Sequence, residues 1–175
     1  MSSFTIRSAL ADELDLLREI DDDAMALYAE YGISVLLPED HVFARAELTR
    51  WRRAADLGRA LLAVDDRGQG VGFAVLDHVD GDPYLDQLSV RVRAMRRGIG
   101  GQLLAGAAAW ARSEGAPALW LTTYDHVPFN RPYYERHGYV CVPESACGPG
   151  IRRHLDEQRR HLPAPAHRVA MRRAT

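Results

Sequence analysis

The chain has 175 residues, with 22 basic and 24 acidic side chains and a formal net charge of -2 at pH 7. That length suits a single domain, 1–175, with a substantial core, and that balance argues against attraction of the whole protein to nucleic acid or to an anionic membrane. Every Lys/Arg-type residue is Arg, which excludes lysine Schiff-base chemistry and a P-loop lysine.

Cys141 and Cys147 make no disulfide framework and have no neighbours at zinc-ligand spacing, so a reducing compartment is expected. The opening "MSSFTIRSALADELDLL" turns acidic where a signal peptide needs an apolar run. No segment approaches the roughly 20 apolar residues of a membrane span. A cytoplasmic protein is the expectation.

Phe4 to Arg7 reads as a first strand, with Ser8 and Asp12 as turn or cap residues. Leu14, Leu17, Ile20, Ala24 and Leu27 then recur at helical spacing, with a break expected near Asp21 to Asp23. A second helix is expected after Pro38, with Glu39 and Asp40 in its first turn, ending at Gly58.

"RALLAVDD", "VGFAVLDHV" and "YLDQLSVRV", joined by the turns "RGQG" and "DGDP", predict an antiparallel meander. From Gly98 the helical period returns through Ile99, Leu103, Leu104, Ala107, Trp110 and Ala111, and "ALWLTT" is a strand parallel to its predecessor. A short helix in "VPFNRPYYERHG", a strand "YVCV", a polar helix "IRRHLDEQRRH" and a final strand "HRVAMRR" complete the chain. The fold class is α/β (α+β), one mixed sheet of about seven strands with helices on both faces.

The most informative stretch is "RVRAMRRGIGGQLLAG". A helix N-terminus carries unpaired N–H groups and partial positive charge, so sequences usually place acids there. Here no acid occurs between Gln87 and Ser113, while Arg91, Arg93, Arg96 and Arg97 crowd the helix start. That pattern suits an external anion approached closely by glycine backbone; taken alone it also suits a turn with solvated arginines. The Walker and Rossmann glycine patterns both fail here.

"LSVRVRAMRRGIGGQLL" resembles the acetyl-CoA-binding motif of the GNAT superfamily of N-acetyltransferases, Gln/Arg-x-x-Gly-x-Gly/Ala between a strand and a helix. The hexad is Met95-Arg96-Arg97-Gly98-Ile99-Gly100, with Met95 departing from the pattern. "VPFNRPYYERHGYV" is similar to the family's Asn-x-x-x-Tyr-x-x-x-Gly-Phe segment through Asn130, Tyr134, Gly138 and Tyr139. The two occur in the family's order, and with the flanking elements the resemblance covers nearly the whole chain.

The resemblance implies a splayed strand pair, "YLDQLSV" and "ALWLTT", that holds acetyl-CoA. The pantetheine arm would pair with backbone at Leu88, Ser89 and Val90. The pyrophosphate would meet Arg96, Arg97, Gly98, Ile99, Gly100 and Gly101, and Asn130 and Tyr134 would contact the cofactor. The implied reaction is transfer of acetyl from acetyl-CoA to a primary amine, of a small molecule or an exposed protein amino group, by direct attack in a ternary complex. No metal is implied, and dimers are common in the family.

Such transfer needs a neutral amine, a stabilised oxyanion and a proton for the thiolate. At the family's position Tyr134 would be the acid, and the backbone N–H near Leu88 the oxyanion donor. Strand alternation puts Asp86 on one face with Leu88 and Val90, opposite Gln87, Ser89 and Arg91. An acid sharing a face with apolar residues is either paired or functional, which makes Asp86 the candidate base; a salt bridge or recognition of a cationic substrate is the alternative.

Other features rank lower. Asn130 could simply cap a helix, Asp21 to Asp23 read more readily as a solvated acidic face than as an amine pocket, and His126 is a second candidate base. His154 and His161 have no third metal ligand in view. The C-terminal arginines are diluted by Asp156 and Glu157 and lack an aromatic platform for nucleic acid. Two rivals therefore stand beside the enzyme: a silent acyl-CoA-binding regulatory domain and an arginine-rich nucleic-acid binder.

Overall fold

A computed structural model describes residues 3–175. The strands are β1 (Phe4–Ser8), β2 (Ala60–Asp65), β3 (Gly70–Val79), β4 (Asp82–Val90), β5 (Ala118–Tyr124), β6 (Val140–Val142) and β7 (Arg168–Ala174). The α-helices are α1 (Leu14–Met25), α2 (Val42–Asp56), α3 (Ile99–Ser113), α4 (Arg131–Arg136) and α5 (Pro149–His161). Among the described residues the strands form one mixed seven-stranded sheet, order β1-β2-β3-β4-β5-β7-β6.

The chain divides into two compact units, Met1–Asp77 with Gln87–Ala107, and His78–Asp86 with Ala108–Thr175. Each is assembled from two separate stretches, so neither is a contiguous domain.

In the first unit β1, β2 and β3 pair antiparallel, with a bulge between Ala63 and Val64. Leu17 and Ile20 of α1 and Trp51, Ala54 and Ala55 of α2 pack on Leu62, Phe73 and Val75. Trp51 is 1% exposed and meets the Phe73 ring edge-on at 5.0 Å. The opposite sheet face receives α3, where the space that a Cβ on Gly106 would take lies 2.9 Å from the Leu61 side chain. Adjacent residues Leu61 and Leu62 thus serve different helix layers, as strand alternation requires.

In the second unit β4 meets β5 in parallel at Tyr84 and Trp120, and β7 pairs antiparallel with both β5 and β6. Helix α5 covers this part through Ile151 and Leu155, packed with Tyr84, Trp120 and Ala170.

Three expectations need adjustment. Helix α1 runs unbroken through Asp21 to Asp23 and tightens into a 3-10 segment only at Ala26. Two of these aspartates are tied down by tertiary bonds, Asp21 to Gln87 and Ser89 and Asp23 to the Val92 N–H, and so do not compete with the helix for its own backbone.

Helix α2 starts at Val42, not after Pro38, because His41 Nδ1 accepts from the Phe43 N–H; Glu39 instead pairs with Arg18 at 2.8 Å. The turn expected over "DGDP" is confined to Asp80 and Gly81, with φ of 56° and 86°. Two positive φ values in a two-residue loop match the right-handed twist of the flanking strands. Pro83 therefore falls inside β4.

Candidate active site

At the start of α3 the backbone is shaped for close approach. Arg96 and Gly98 both adopt positive φ, 60° and 82°, and a side chain at Gly98 would meet only open space. The first turn of α3 contains no acid, and its first backbone bond runs from Gln102 N–H to Gly98 C=O. The N–H groups just before Gln102 therefore have no helical acceptor. Ile99, 1% exposed, anchors this end in the core.

The four arginines do not act together. Arg91 donates to the Gly70 carbonyl at 3.0 Å and lies 3.5 Å from Glu19. Arg93 donates to Gln69 Oε1 at 2.7 Å. Both line an open cleft of about 420 Å³ with Leu16, Gly68, Gln69 and Gly70. Arg96 and Arg97 are exposed and make no ion pair among the described residues. The uncompensated charge thus sits next to the unpaired N–H groups of α3. A phosphate-bearing group fits this end of the helix.

Strand β4 divides as alternation predicts. Val90 lies on the α3 side, its Cγ2 and the Ile99 Cγ2 both crowding Gly72. Gln87 and Ser89 turn the other way, onto α1. Asp21 Oδ1 accepts from Gln87 Nε2 at 2.6 Å and from Ser89 Oγ at 2.5 Å, and Gln87 Nε2 also donates to Ser89 Oγ at 3.2 Å.

Burial pushes the Asp21 carboxyl up to about 6, against the lowering effect of the Ser89 and Gln87 hydrogen bonds; nearby Asp22 adds to the rise. Asp21 is therefore no member of a solvated acidic face. Its signal was present in the sequence: Leu17, Asp21 and Ala24 are spaced i, i+4, i+7, one helix face, and the first and last are core residues. The Ser89 side chain is committed to Asp21, which leaves its backbone for any contact with a ligand. Asp86 and Leu88 are half-buried.

Downstream, Asn130 occupies the N-cap position of α4 and is 6% exposed, yet its side chain makes no cap hydrogen bond. Its carbonyl accepts from the Tyr134 N–H at 3.0 Å. Tyr134 is half-buried, between the rings of Tyr133 and Tyr139, each 5.6 Å away and edge-on. Gly138, at φ 84°, closes the helix and sends Tyr139 into the core at 1% exposure. Leu88 to Gly101 belong to the first unit, and Asp86, Asn130 and Tyr134 to the second.

Two of the histidines singled out by the sequence, His126 and His154, make ring contacts. His154 packs against Tyr84 at 5.1 Å. His126 stacks on His167 at 4.0 Å, and His167 Nδ1 lies 2.8 Å from Asp125 Oδ1. The trio Asp125, His126 and His167 brings its donor atoms within 4.8 Å of one another, a proximity created by the β5–β7 register and invisible in local spacing.

Several C-terminal arginines are used internally. Arg159 pairs with Glu144 at 2.7 Å, Arg168 donates to Gln158 and lies over Tyr124 at 4.5 Å, and Arg172 lies over Trp120 at 5.7 Å. This weakens the nucleic-acid rival. Among the described residues no helix is long and apolar enough to cross a membrane.

Comparison with known proteins agrees with this architecture. An acetyltransferase of the GNAT family from Staphylococcus aureus Mu50 superposes with a TM-score of 0.73 at 14% identity, covering 98% of this chain and 99% of that one. The PaiA N-acetyltransferase of Thermoplasma acidophilum, solved in complex with coenzyme A, gives 0.69 at 14% identity and 99% coverage of both chains.

N-acetylglutamate synthase from Neisseria gonorrhoeae, complexed with coenzyme A and N-acetyl-glutamate, gives 0.68 at 17% identity; the match covers 99% of this chain but only 35% of the synthase. The profile of the acetyltransferase (GNAT) family matches residues 15–139, a span that holds all of α1 but its first residue, the α3 turn and the Asn130–Tyr139 segment. With that match over most of its length and the family's fold throughout, the chain belongs to the acetyltransferase (GNAT) family and is an acyltransferase by class.

Proposed function

We propose that the chain works as one N-acetyltransferase domain that moves acetyl from acetyl-CoA to a primary amine by direct attack in a ternary complex. The observation that carries this reading is the start of α3: an acid-free helix N-terminus with exposed Arg96 and Arg97 beside it and positive φ at Arg96 and Gly98. A pyrophosphate satisfies that end through hydrogen bonds and charge together.

When bound, acetyl-CoA supplies the thioester that the amine attacks. In this reading the N–H groups of Arg97 to Gly101 hold the pyrophosphate, and Leu88, Ser89 and Val90 pair through their backbone with the pantetheine arm. Asn130 adds a cofactor contact. The Leu88 N–H donates to the oxyanion, Asp86 takes the amine proton, and the Tyr134 hydroxyl gives a proton to the departing sulfur.

For an ordinary phenol and thiol that last transfer is uphill by about 1.5 pKa units, about 2 kcal/mol. Tyr134 therefore acts by hydrogen-bonding to the sulfur as charge develops, completing the transfer as the C–S bond breaks. Direct attack is supported by the cysteines, since burial pushes both the Cys141 and Cys147 thiols up and makes them poor nucleophiles. The composition supports a cytoplasmic setting.

The test is thiol release from acetyl-CoA against a panel of amines, together with the thermal midpoint. Acetyl-CoA at 100 times its Kd should stabilise the protein by about 2.7 kcal/mol, and at least one amine should drive thiol release. Tyr134→Phe should lower turnover about a hundredfold or more while retaining the acetyl-CoA shift. A midpoint rise with no thiol release from any amine would favour the silent regulatory domain. No midpoint rise at all would remove both CoA-binding readings.

A further inference from the structure

We propose that Asp21 is the anchor for the acceptor amine, binding it as its ammonium ion, so that the enzyme selects aliphatic, cationic amines over neutral aromatic ones. This rests on the acetyltransferase reading above and adds to it a residue that neither family motif contains.

The argument begins with how the carboxylate is held. Two donors, Gln87 Nε2 and Ser89 Oγ, converge on Oδ1 at 2.6 and 2.5 Å. The other oxygen, Oδ2, takes no hydrogen bond among the described residues. Gln87 and Ser89 also bond each other, so the carboxylate cannot swing without breaking a closed three-member network. One oxygen is thus fixed and the other left with its lone pairs available, the arrangement expected of a carboxylate that receives a ligand.

The charges around it lack a compensating cation. On α1 the charged residues nearest it in sequence are Arg18, which pairs with Glu39 at 2.8 Å, and the acids Glu19, Asp22 and Asp23. On β4 the groups turned toward it, Gln87 and Ser89, are neutral. Arg91, just after that strand, is taken up by the Gly70 carbonyl and Glu19, and Asp23 is spent on the Val92 N–H at 2.7 Å.

A partly buried carboxylate among like charges is costly and gains most when a cation arrives. Burial first, and nearby Asp22 after it, push the carboxyl up to about 6, and a cation at Oδ2 would offset both. At neutral pH the group is still largely ionised and can hold an ammonium. No bond is made or broken in this step; the ammonium then gives its proton to solvent before the neutral amine attacks.

The experiment uses the full chain and the isosteric variant Asp21→Asn, with n-butylamine and spermidine as cationic probes and aniline as the neutral one. In the wild type the acid limb of kcat/KM for the cationic amines should fall near pH 6. In Asp21→Asn that limb should vanish and kcat/KM should drop tenfold or more, mainly through KM, while the acetyl-CoA midpoint shift is unchanged.

A readout free of turnover is the Asp21 carboxyl carbon followed by NMR: it should titrate near 6 alone and at lower pH with n-butylammonium chloride. Ser89→Ala, which keeps the charge but loosens the clamp, should weaken amine binding less than Asp21→Asn. If the acid limb and KM survive in Asp21→Asn, or the carboxyl titration ignores n-butylammonium, Asp21 is only a tie between α1 and β4 and the proposal is overturned, with the acetyltransferase reading intact. Wild-type protein that releases no thiol with any amine would instead overturn that reading.

Discussion

Gly72 offers a direct test of how tightly the cofactor end of α3 is built into the sheet. A Cβ at this position would stand 3.0 Å from the Ser89 carbonyl oxygen, 3.1 Å from Ile99 Cγ2 and 3.2 Å from Val90 Cγ2. None of the three can yield cheaply: Ser89 O is backbone, and Ile99 is a β-branched core residue at 1% exposure.

Overpacking of this kind costs about 1–3 kcal/mol, offset by about 0.4–1 kcal/mol because alanine loses less chain entropy than glycine on folding. Gly72→Ala should therefore lose about 1 kcal/mol net, a fall in Tm of about 2–4 °C for a chain of this size. The displaced Ile99 opens α3, so acetyl-CoA binding should weaken as well.

Gly70→Ala is the control, because the added methyl meets only side-chain ends, Leu16 Cδ2 at 3.0 Å, Leu16 Cδ1 at 3.2 Å and Ile20 Cδ1 at 3.3 Å. Urea denaturation and calorimetric titration with acetyl-CoA would measure both effects. A Gly72→Ala protein as stable as wild type, or one that binds acetyl-CoA no more weakly than Gly70→Ala, would refute the reasoning.

Two further outcomes are expected. Asp80 accepts from the Gly150 and Ile151 N–H groups at 2.7 and 3.1 Å and so caps α5 from the β3–β4 turn; Asp80→Ala should cost about 1–2 kcal/mol in urea denaturation, and Asp80→Asn less, since Asn tolerates the positive φ. Asp21 has a folded-state pKa above its ordinary value, so its contribution to stability is present below pH 3.8 and is lost as pH rises toward 6. Asp21→Asn should accordingly gain on wild type by about 2 kcal/mol between pH 4 and 7.5; equal differences at the two pH values would contradict the elevated pKa.

Whereas the insertion of β7 between β5 and β6 has no local signal, the hairpins, α3 and the parallel pairing of β4 with β5 are legible because each depends on a local period or a local turn residue. The two-residue Asp80-Gly81 turn is such a case, although its exact extent hid behind Pro83. The start of α2 differs from the expected one because acids after a proline are a generic first-turn signal, whereas the cap itself, His41 Nδ1 on the Phe43 N–H, is unusual chemistry for that position.

The sequence marks the basic turn by its lack of acids but does not separate its four arginines. Only tertiary structure separates Arg91 and Arg93, bonded across to β3 and the turn before it, from the exposed pair Arg96 and Arg97. The burial of Asp21 is legible in the helix face it shares with Leu17 and Ala24, but the partners of Asp21 and of the Asp125–His126–His167 trio are not. Those partners lie 66, 68 and 42 residues away along the chain, and no periodicity carries information over that distance.

Burial of Trp51 against Phe73 makes the protein its own optical probe. Of its three tryptophans, Trp51 alone belongs to the first compact unit, while Trp110 and Trp120 belong to the second. Its indole is dry and its Nε1 has no partner among the described residues, so its emission is expected toward the blue. Trp110 lies 5.1 Å from His78 and Trp120 lies under the Arg172 guanidinium, neighbours that modulate emission differently. With Trp110 and Trp120 replaced by Phe, the remaining fluorescence reports melting of the first unit alone, and comparison with circular dichroism measures how cooperatively the two units unfold.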